Sequence, residues 1–433
     1  VRLRDILARA GLGGAPVVLV AMLAWNAGNL VFFVLAGRLI GPDEYGTLAA
    51  LLAVTQIALV PAGALQVAVV RGEAVLREGE PRGSAYRSAL AAARLWTPLA
   101  AVVLAGAAAL GGWSASGPVG PLVLTVAVIV PMPFLFLALG ELQSRHRFNA
   151  FSLAFSLIGV PRPILLLPLL IVLSGLLAGL TASALSMAAA AAVALWATRD
   201  RLRGARAPEH ARRALRAAVG PLAIGLGAVA LLTNLDIIVA ELALPEEAAG
   251  RFAAVAVLGK AVILVPQAVS VAVLPRVAAR RAAGVDTGPL LAGAVGLTLV
   301  GGAAAAGLAA LLAEPVVRLT YGPDFVPSAD LLAPMALVST LLGVVVVLVN
   351  HHAGRGGDRF LLILAGVVLL QPLVFVALHG SAAQLVLADA IAYSACIVVH
   401  ELVFGRGPDG IVRGLVRALR GLAGGRPPSR AAG

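Results

Sequence analysis

The sequence predicts an all-α polytopic membrane protein, with twelve transmembrane helices in two parallel six-helix lobes around a central cavity. Three observations predict it. Uncharged apolar runs near twenty residues long recur along the chain, basic residues concentrate in alternate loops, and a stretch near residue 41 resembles another about 204 residues later.

Composition sets the solvent. Of 433 residues, 60% are hydrophobic and 12% charged, against about 25% charged in soluble domains. Too few polar side chains are present to cover soluble cores of this size. A helix of about 20 residues crosses a hydrocarbon layer of ~30 Å, whereas a barrel would alternate in polarity over ~10-residue segments. That alternation is absent. The apolar run 16–37 exceeds the ~7–15-residue core of a signal peptide, so it is read as a retained first helix. Cys396 is the one cysteine, which excludes an intrachain disulfide and suits a small core residue.

The predicted crossings are 16–37, 47–70, 88–110, 119–140, 148–169 and 173–197, then 221–242, 252–274, 289–313, 331–349, 360–378 and 382–399. Ser174-Gly175 is the one plausible turn between the fifth and sixth. Short cytoplasmic loops are rich in Lys and Arg. With the N-terminus inside, 27 of the 33 basic residues fall on the inner side, three (Arg38, Arg251, Arg318) outside, and Arg94, Arg162 and Lys260 within helices. Both termini are therefore placed in the cytoplasm of a bacterial inner membrane. The net charge of +12 has this topological explanation, and no zinc-finger, helix-turn-helix or RNP pattern points to nucleic acid.

The repeat pairs Gly41-Pro42-Asp43-Glu44-Tyr45-Gly46 with Leu244-Pro245-Glu246-Glu247-Ala248-Ala249-Gly250, and Val60-Pro61 with Val265-Pro266. Six crossings lie between the copies, so both have the same orientation, as parallel repeats about an axis along the membrane normal do. The predicted domains are an N-terminal lobe 1–198, a basic connector 199–216, a C-terminal lobe 217–402 and a flexible basic tail 403–433 that touches anionic headgroups.

Ionisable groups inside the bilayer cost about 2.5–3.5 kcal/mol each on insertion scales and mark functional sites or buried pairs. Asp236 lies roughly 22 Å along the seventh helix and Lys260 roughly 12 Å in from the opposite end of the eighth, at one level. They form either a static pair or a switch that separates during transport. Arg162, between Pro161 and Pro163, is expected beside carbonyls freed by a kink, where it can clamp phosphate or simply lie in the interface. Arg94 is either a third cavity cation or a side chain that snorkels. Asp389 is a second acidic candidate, for coupling or for an internal hydrogen bond. Asn26, Asn29, Gln56, Asn234 and Gln267 form an uncharged group suited to hydrogen-bonding a sugar or to holding helices together. The excess of cations leans towards an anionic substrate. No catalytic constellation is evident, and the His351-His352 pair is a poor metal signal.

The Gly41–Gly46 segment, Asp236-Ile237-Ile238-Val239-Ala240 with Pro245–Gly250, and Pro266-Gln267 running into Leu274-Pro275-Arg276 resemble motifs of the multidrug/oligosaccharidyl-lipid/polysaccharide exporter superfamily, in its polysaccharide-biosynthesis and O-antigen flippase branch. The resemblance covers about residues 5–401. It implies alternating access, no cofactor, and coupling to H+ or Na+. It also implies an undecaprenyl-pyrophosphate-linked oligosaccharide as substrate, with glycosyltransferases or a polymerase of the same pathway as partners. Twelve helices, where many flippases of this superfamily have fourteen, keep open a cation-coupled exporter of small molecules or drugs. A third reading is a non-transporting scaffold for cell-wall synthesis, in which every intramembrane charge is paired and no cavity exists. No P-loop supports direct use of ATP.

Overall fold

A computed structural model describes residues 15–94, 97, 119–263, 287–355, 358–407 and 409–423. The described residues are helical throughout, without a strand, and include eight helices long and apolar enough to cross a membrane. Ile171, Leu311, Leu319 and Leu402 are each more than three-quarters exposed. Large aliphatic side chains so presented are at home against lipid tails and not against water. The chain is a polytopic helical membrane protein. Most of the predicted third crossing, the end of the eighth, Gln267, the Val265-Pro266 repeat and residues 424–433 lie outside the described residues.

The chain divides into two compact units, Val1–Ala230 and Leu231–Gly433. In the first, α1 (Ala15–Ala74) is continuous except at Gly41, where φ is +78°. That backbone conformation is accessible to glycine and costly for most other residues, and Pro42 then restarts the helix in the first-turn position proline tolerates. Next come a helical stretch over residues 84–94, α2 (Gly120–Ile129), α3 (Met132–Ser144), α4 (Phe148–Ser156), α5 (Pro161–Leu169) and α6 (Gly175–Ala197). Leu135, Leu139 and Leu142 of α3, Ala154 of α4 and Ala190 and Ala194 of α6 form its core. Two carboxylates close its turns. Glu44 accepts the Leu176 N–H at the start of α6, at 2.7 Å. Glu73 accepts the N–H groups of Gly83 (2.7 Å), Ala85 (2.9 Å) and Tyr86 (3.4 Å) where the 84–94 stretch begins. Both satisfy donors that a helix start leaves without partners.

The helix α7 (Glu209–Ala243) begins inside the predicted connector, so ordered helix replaces part of that link. The second unit contains its last turns with α8 (Glu246–Lys260), α9 (Gly288–Thr320), α10 (Leu332–Arg355), α11 (Asp358–Val368), α12 (Leu370–Ala377), α13 (Ala382–Phe404) and α14 (Ile411–Ala423). Phe252, Tyr321, Phe325, Phe360, Phe375 and Tyr393 are fully buried there. Two expectations fail in this unit. The ninth helix continues to Thr320, past a non-helical Leu312 that precedes Pro315. The tail is not flexible from residue 403 onward, because Glu401 accepts the first N–H groups of α14 and gives it a fixed start.

Candidate functional site

Two polar centres lie in the apolar interior, one in each unit. In the first, Arg162 is 6% exposed. Its Nε and Nη2 donate to the Ser183 hydroxyl at 3.1 and 2.7 Å, and its Nη1 donates to Asn29 Oδ1 at 2.5 Å. The Ser183 hydroxyl donates a hydrogen bond to the Gly179 carbonyl at 2.8 Å, which leaves its lone pairs for the guanidinium. The Phe32 ring centroid is 4.2 Å from the guanidinium carbon, a distance at which the ring quadrupole attracts a cation. Among the described residues, no carboxylate forms an ion pair with Arg162.

The local fold explains this placement and corrects the expected kink. The helix breaks over residues 157–160 and restarts at Pro161, so both prolines sit in a first turn, where a missing N–H is tolerated. Arg162 faces Ser183 and Asn29 and not freed carbonyls. Gly28 and Gly159 make this possible. A Cβ on Gly28 would lie 2.7 Å from the Gly159 carbonyl carbon, and one on Gly159 2.6 Å from the Trp25 carbonyl oxygen. The two backbones touch, which brings Asn29 to the arginine. Beside them is a cavity of about 20 Å³, lined by Arg162, Ser183, Asn29, Gln56, Thr55 and Trp25 among others. It has room for one or two waters.

In the second unit Lys260 Nζ donates to both oxygens of Asp236, each at 2.7 Å, and to the Thr233 carbonyl at 2.5 Å. Asp236 is fully buried, and the lysine side chain is 12% exposed. Asp389, also fully buried, accepts from Gln371 Nε2 at 2.9 Å and lies within electrostatic reach of both Asp236 and Lys260. Gln371 and Tyr393 both turn towards the Leu232 carbonyl, Tyr393 Oη at 2.5 Å. Lys260 thus pairs with Asp236, while Asp389 is held by Gln371 with that pair nearby.

The remaining candidates separate. Asn29 and Gln56 line the cavity, but Asn26 donates to its own helix at the Met22 carbonyl, 2.9 Å away. Arg94 is exposed and does not line the cavity. Asn234 is half-buried. Ser183, Gln371 and Tyr393 are absent from the sequence-based set. Gln371 had a usable signal, an amide inside an apolar span, while Ser183 in an alanine-rich helix had none. His352 Nε2 lies 3.0 Å from His400 Nε2, and His351 Nε2 lies 3.0 Å from Asp409 Oδ1. Among the described residues no group of three or more His, Cys, Asp or Glu is arranged to hold a metal ion. Outside the spans, the hydrogen bond from Arg145 holds the Asp200 carboxyl below the usual aspartate range. Burial raises the Tyr86 phenol, whose oxygen lies 3.1 Å from Thr198 Oγ1.

No family model matches the sequence, and no curated relative matches it. Solved structures share its fold. Lipid II flippase MurJ in an inward closed conformation superposes with a TM-score of 0.70 at 14% identity, covering 94% of this chain and 91% of that one. An inward-facing multidrug resistance MATE family transporter of the MOP superfamily gives 0.72 at 14%, covering 92% and 96%. A MOP superfamily transporter from Pyrococcus furiosus, whose reverse-polarity binding pocket is said to suggest a different function, gives 0.53 at 14%, also covering 92% and 96%. At this identity the likeness is one of fold. It does not single out the O-antigen branch, since a flippase and a drug transporter match about equally well.

Proposed function

We propose that this chain is an alternating-access exporter, coupled to a cation, with twelve crossings in two parallel lobes and both termini in the cytoplasm. The observation that carries the reading is the buried Lys260–Asp236 ion pair with a second buried carboxyl, Asp389, within electrostatic reach of it. Two carboxylates and one ammonium leave one negative charge in a low-dielectric interior, which a proton on Asp389 would balance. Binding and release of that proton would change which carboxyl holds Lys260, and so would link an ion gradient to the packing of α7, α8 and α13. H+ is favoured over Na+ because both Asp236 oxygens face Lys260 and Asp389 Oδ1 faces Gln371. Asp389 Oδ2, which has no hydrogen bond among the described residues, is too little for a metal cation's oxygen cage.

The test is purified protein in liposomes with an imposed pH gradient, read by ethidium movement and by proton flux. Transport should collapse when the gradient is dissipated, and Asp389→Asn should uncouple it. Movement that ignores both pH and Na+ gradients would overturn the reading.

Arg162 favours a second reading. A buried guanidinium held by neutral acceptors, next to a cavity, can exchange Asn29 for an oxygen of a phosphate or pyrophosphate without breaking an ion pair. This fits a flippase for a lipid-linked oligosaccharide. The 20 Å³ cavity is too small for a sugar, so substrate would enter another conformation. Translocation of a defined lipid-pyrophosphate sugar by the same liposomes, lost in Arg162→Ala, distinguishes it from ethidium export.

A further inference from the structure

The last helix, α14, is 13 residues long, roughly 20 Å at 1.5 Å per residue, and too short to cross a bilayer. Its faces divide by chemistry. Val412, Leu415 and Val416 lie three and four residues apart, on one stripe, and are 60%, 46% and 40% exposed. Arg413, Arg417 and Arg420 form the neighbouring stripe at the same spacings, and no acidic residue occurs between positions 411 and 423. The third flank is closed. A Cβ on Gly414 would lie 2.7 Å from the Gly288 carbonyl oxygen and 3.2 Å from Ala292 Cβ, so the helix rests directly on the start of α9.

The helix is also held at its beginning. Glu401, at the end of α13, accepts the N–H groups of Ile411 at 2.9 Å and Val412 at 3.3 Å. Asp409, two residues before it, contacts His351 of α10 at 3.0 Å, and Arg413 Nη1 donates to the Arg406 carbonyl. Three crossing helices therefore fix the orientation of one short helix, while its apolar stripe and the neighbouring Arg413 and Arg420 stay exposed and Arg417 is half-buried. That pairing fits a surface with an apolar interior and anionic heads.

We propose that α14 lies in the membrane–water interface and binds anionic phospholipid. Val412, Leu415 and Val416 enter the acyl boundary, and the three arginines contact lipid phosphates. Through Glu401 and Gly414, the bound lipid holds the ends of α13 and α9 at the membrane surface. Nothing in this depends on which substrate is carried.

Two measurements on the full chain test it. In a Cys396→Ser background, a spin label at Val416→Cys is placed in bilayers of phosphatidylglycerol and phosphatidylcholine. The label should be reached better by dissolved oxygen than by an aqueous nickel chelate. In detergent, binding of added phosphatidylglycerol is compared with that of phosphatidylcholine by native mass spectrometry. Arg413→Gln, Arg417→Gln and Arg420→Gln together should weaken phosphatidylglycerol binding by about tenfold and leave phosphatidylcholine unchanged. A label reached mainly by the chelate in phosphatidylglycerol bilayers sinks the proposal. So does a triple variant that binds phosphatidylglycerol as the parent does, including the outcome in which the face binds a protein and no lipid.

Discussion

The two units each bury a cation, and they satisfy it in opposite ways. Arg162 is held by a hydroxyl, an amide and an aromatic ring, none of them charged. Lys260 is held by a carboxylate, with a second carboxyl close by. The first arrangement keeps a net positive charge that a negatively charged ligand can answer. The second places its cation against a carboxylate, and on the proposed coupling the neighbouring Asp389 takes up the proton. The two units thus hold two centres with different chemistry.

The largest effect that would sharpen this contrast is on stability. Lys260→Ala strands Asp236 in the interior and should cost about 3–5 kcal/mol, read as a large drop in Tm in detergent. Lys260→Met combined with Asp236→Leu should recover part of it, because Asp236 is no longer left unpaired, while the buried Asp389 stays behind without its nearby cation. If the single variant is as stable as the parent, the second centre is not a buried ion pair.

Next is Arg162→Met, which leaves only neutral groups behind. It should cost less than Lys260→Ala, about 1–3 kcal/mol from lost charge-assisted hydrogen bonds. It should also lower transport of an anionic substrate by about tenfold or more, while Arg162→Lys, which cannot reach Ser183 and Asn29 as a planar fork, restores little. Equal destabilisation by the two variants would erase the distinction between the centres.

The repeat itself predicts a smaller asymmetry. Glu44 caps the start of α6 by accepting the Leu176 N–H, whereas Glu247 makes an exposed pair with Arg251 at 2.7 Å. Glu44→Ala should cost about 0.5–2 kcal/mol, and Glu247→Ala at most about 0.5 kcal/mol, by thermal unfolding.

The smallest effect concerns acid. The hydrogen bond from Arg145 depresses the Asp200 carboxyl. A depressed carboxyl adds stability above its unfolded pKa of about 3.9 and loses it as pH falls through the lower folded value. Asp200→Asn should therefore lower Tm slightly at pH 7, with the gap closing below about pH 4. Because the pair is exposed and screened by salt, a gap that persists at pH 3 would assign the effect to something other than this contact.

What the sequence discloses here follows from what lipid forbids. Arg162, Lys260, Asp236 and Asp389 stand out because charge inside a greasy run demands a partner, and the shared level of Asp236 and Lys260 follows from helical rise alone. Partners that lipid tolerates are harder to see. Ser183 costs little in an alanine-rich helix, so its role emerges only when α5 and α6 pack. The interruption expected at these prolines lies just before Pro161, but the partners of Arg162 are not carbonyls freed by it, since both prolines fall in the first turn of the next helix. The fixed start of α14 depends on Glu401 meeting N–H groups ten residues further on, a contact that spacing alone does not single out.

The touching backbones at Gly28 and Gly159 have a consequence for natural variation. Neither residue carries a functional group, yet an alanine at either would wedge the first helix away from the fifth and carry Asn29 out of reach of the guanidinium. A change of one methyl, in a place with no polarity to attract notice, would then remove a polar contact that two residues of another kind provide.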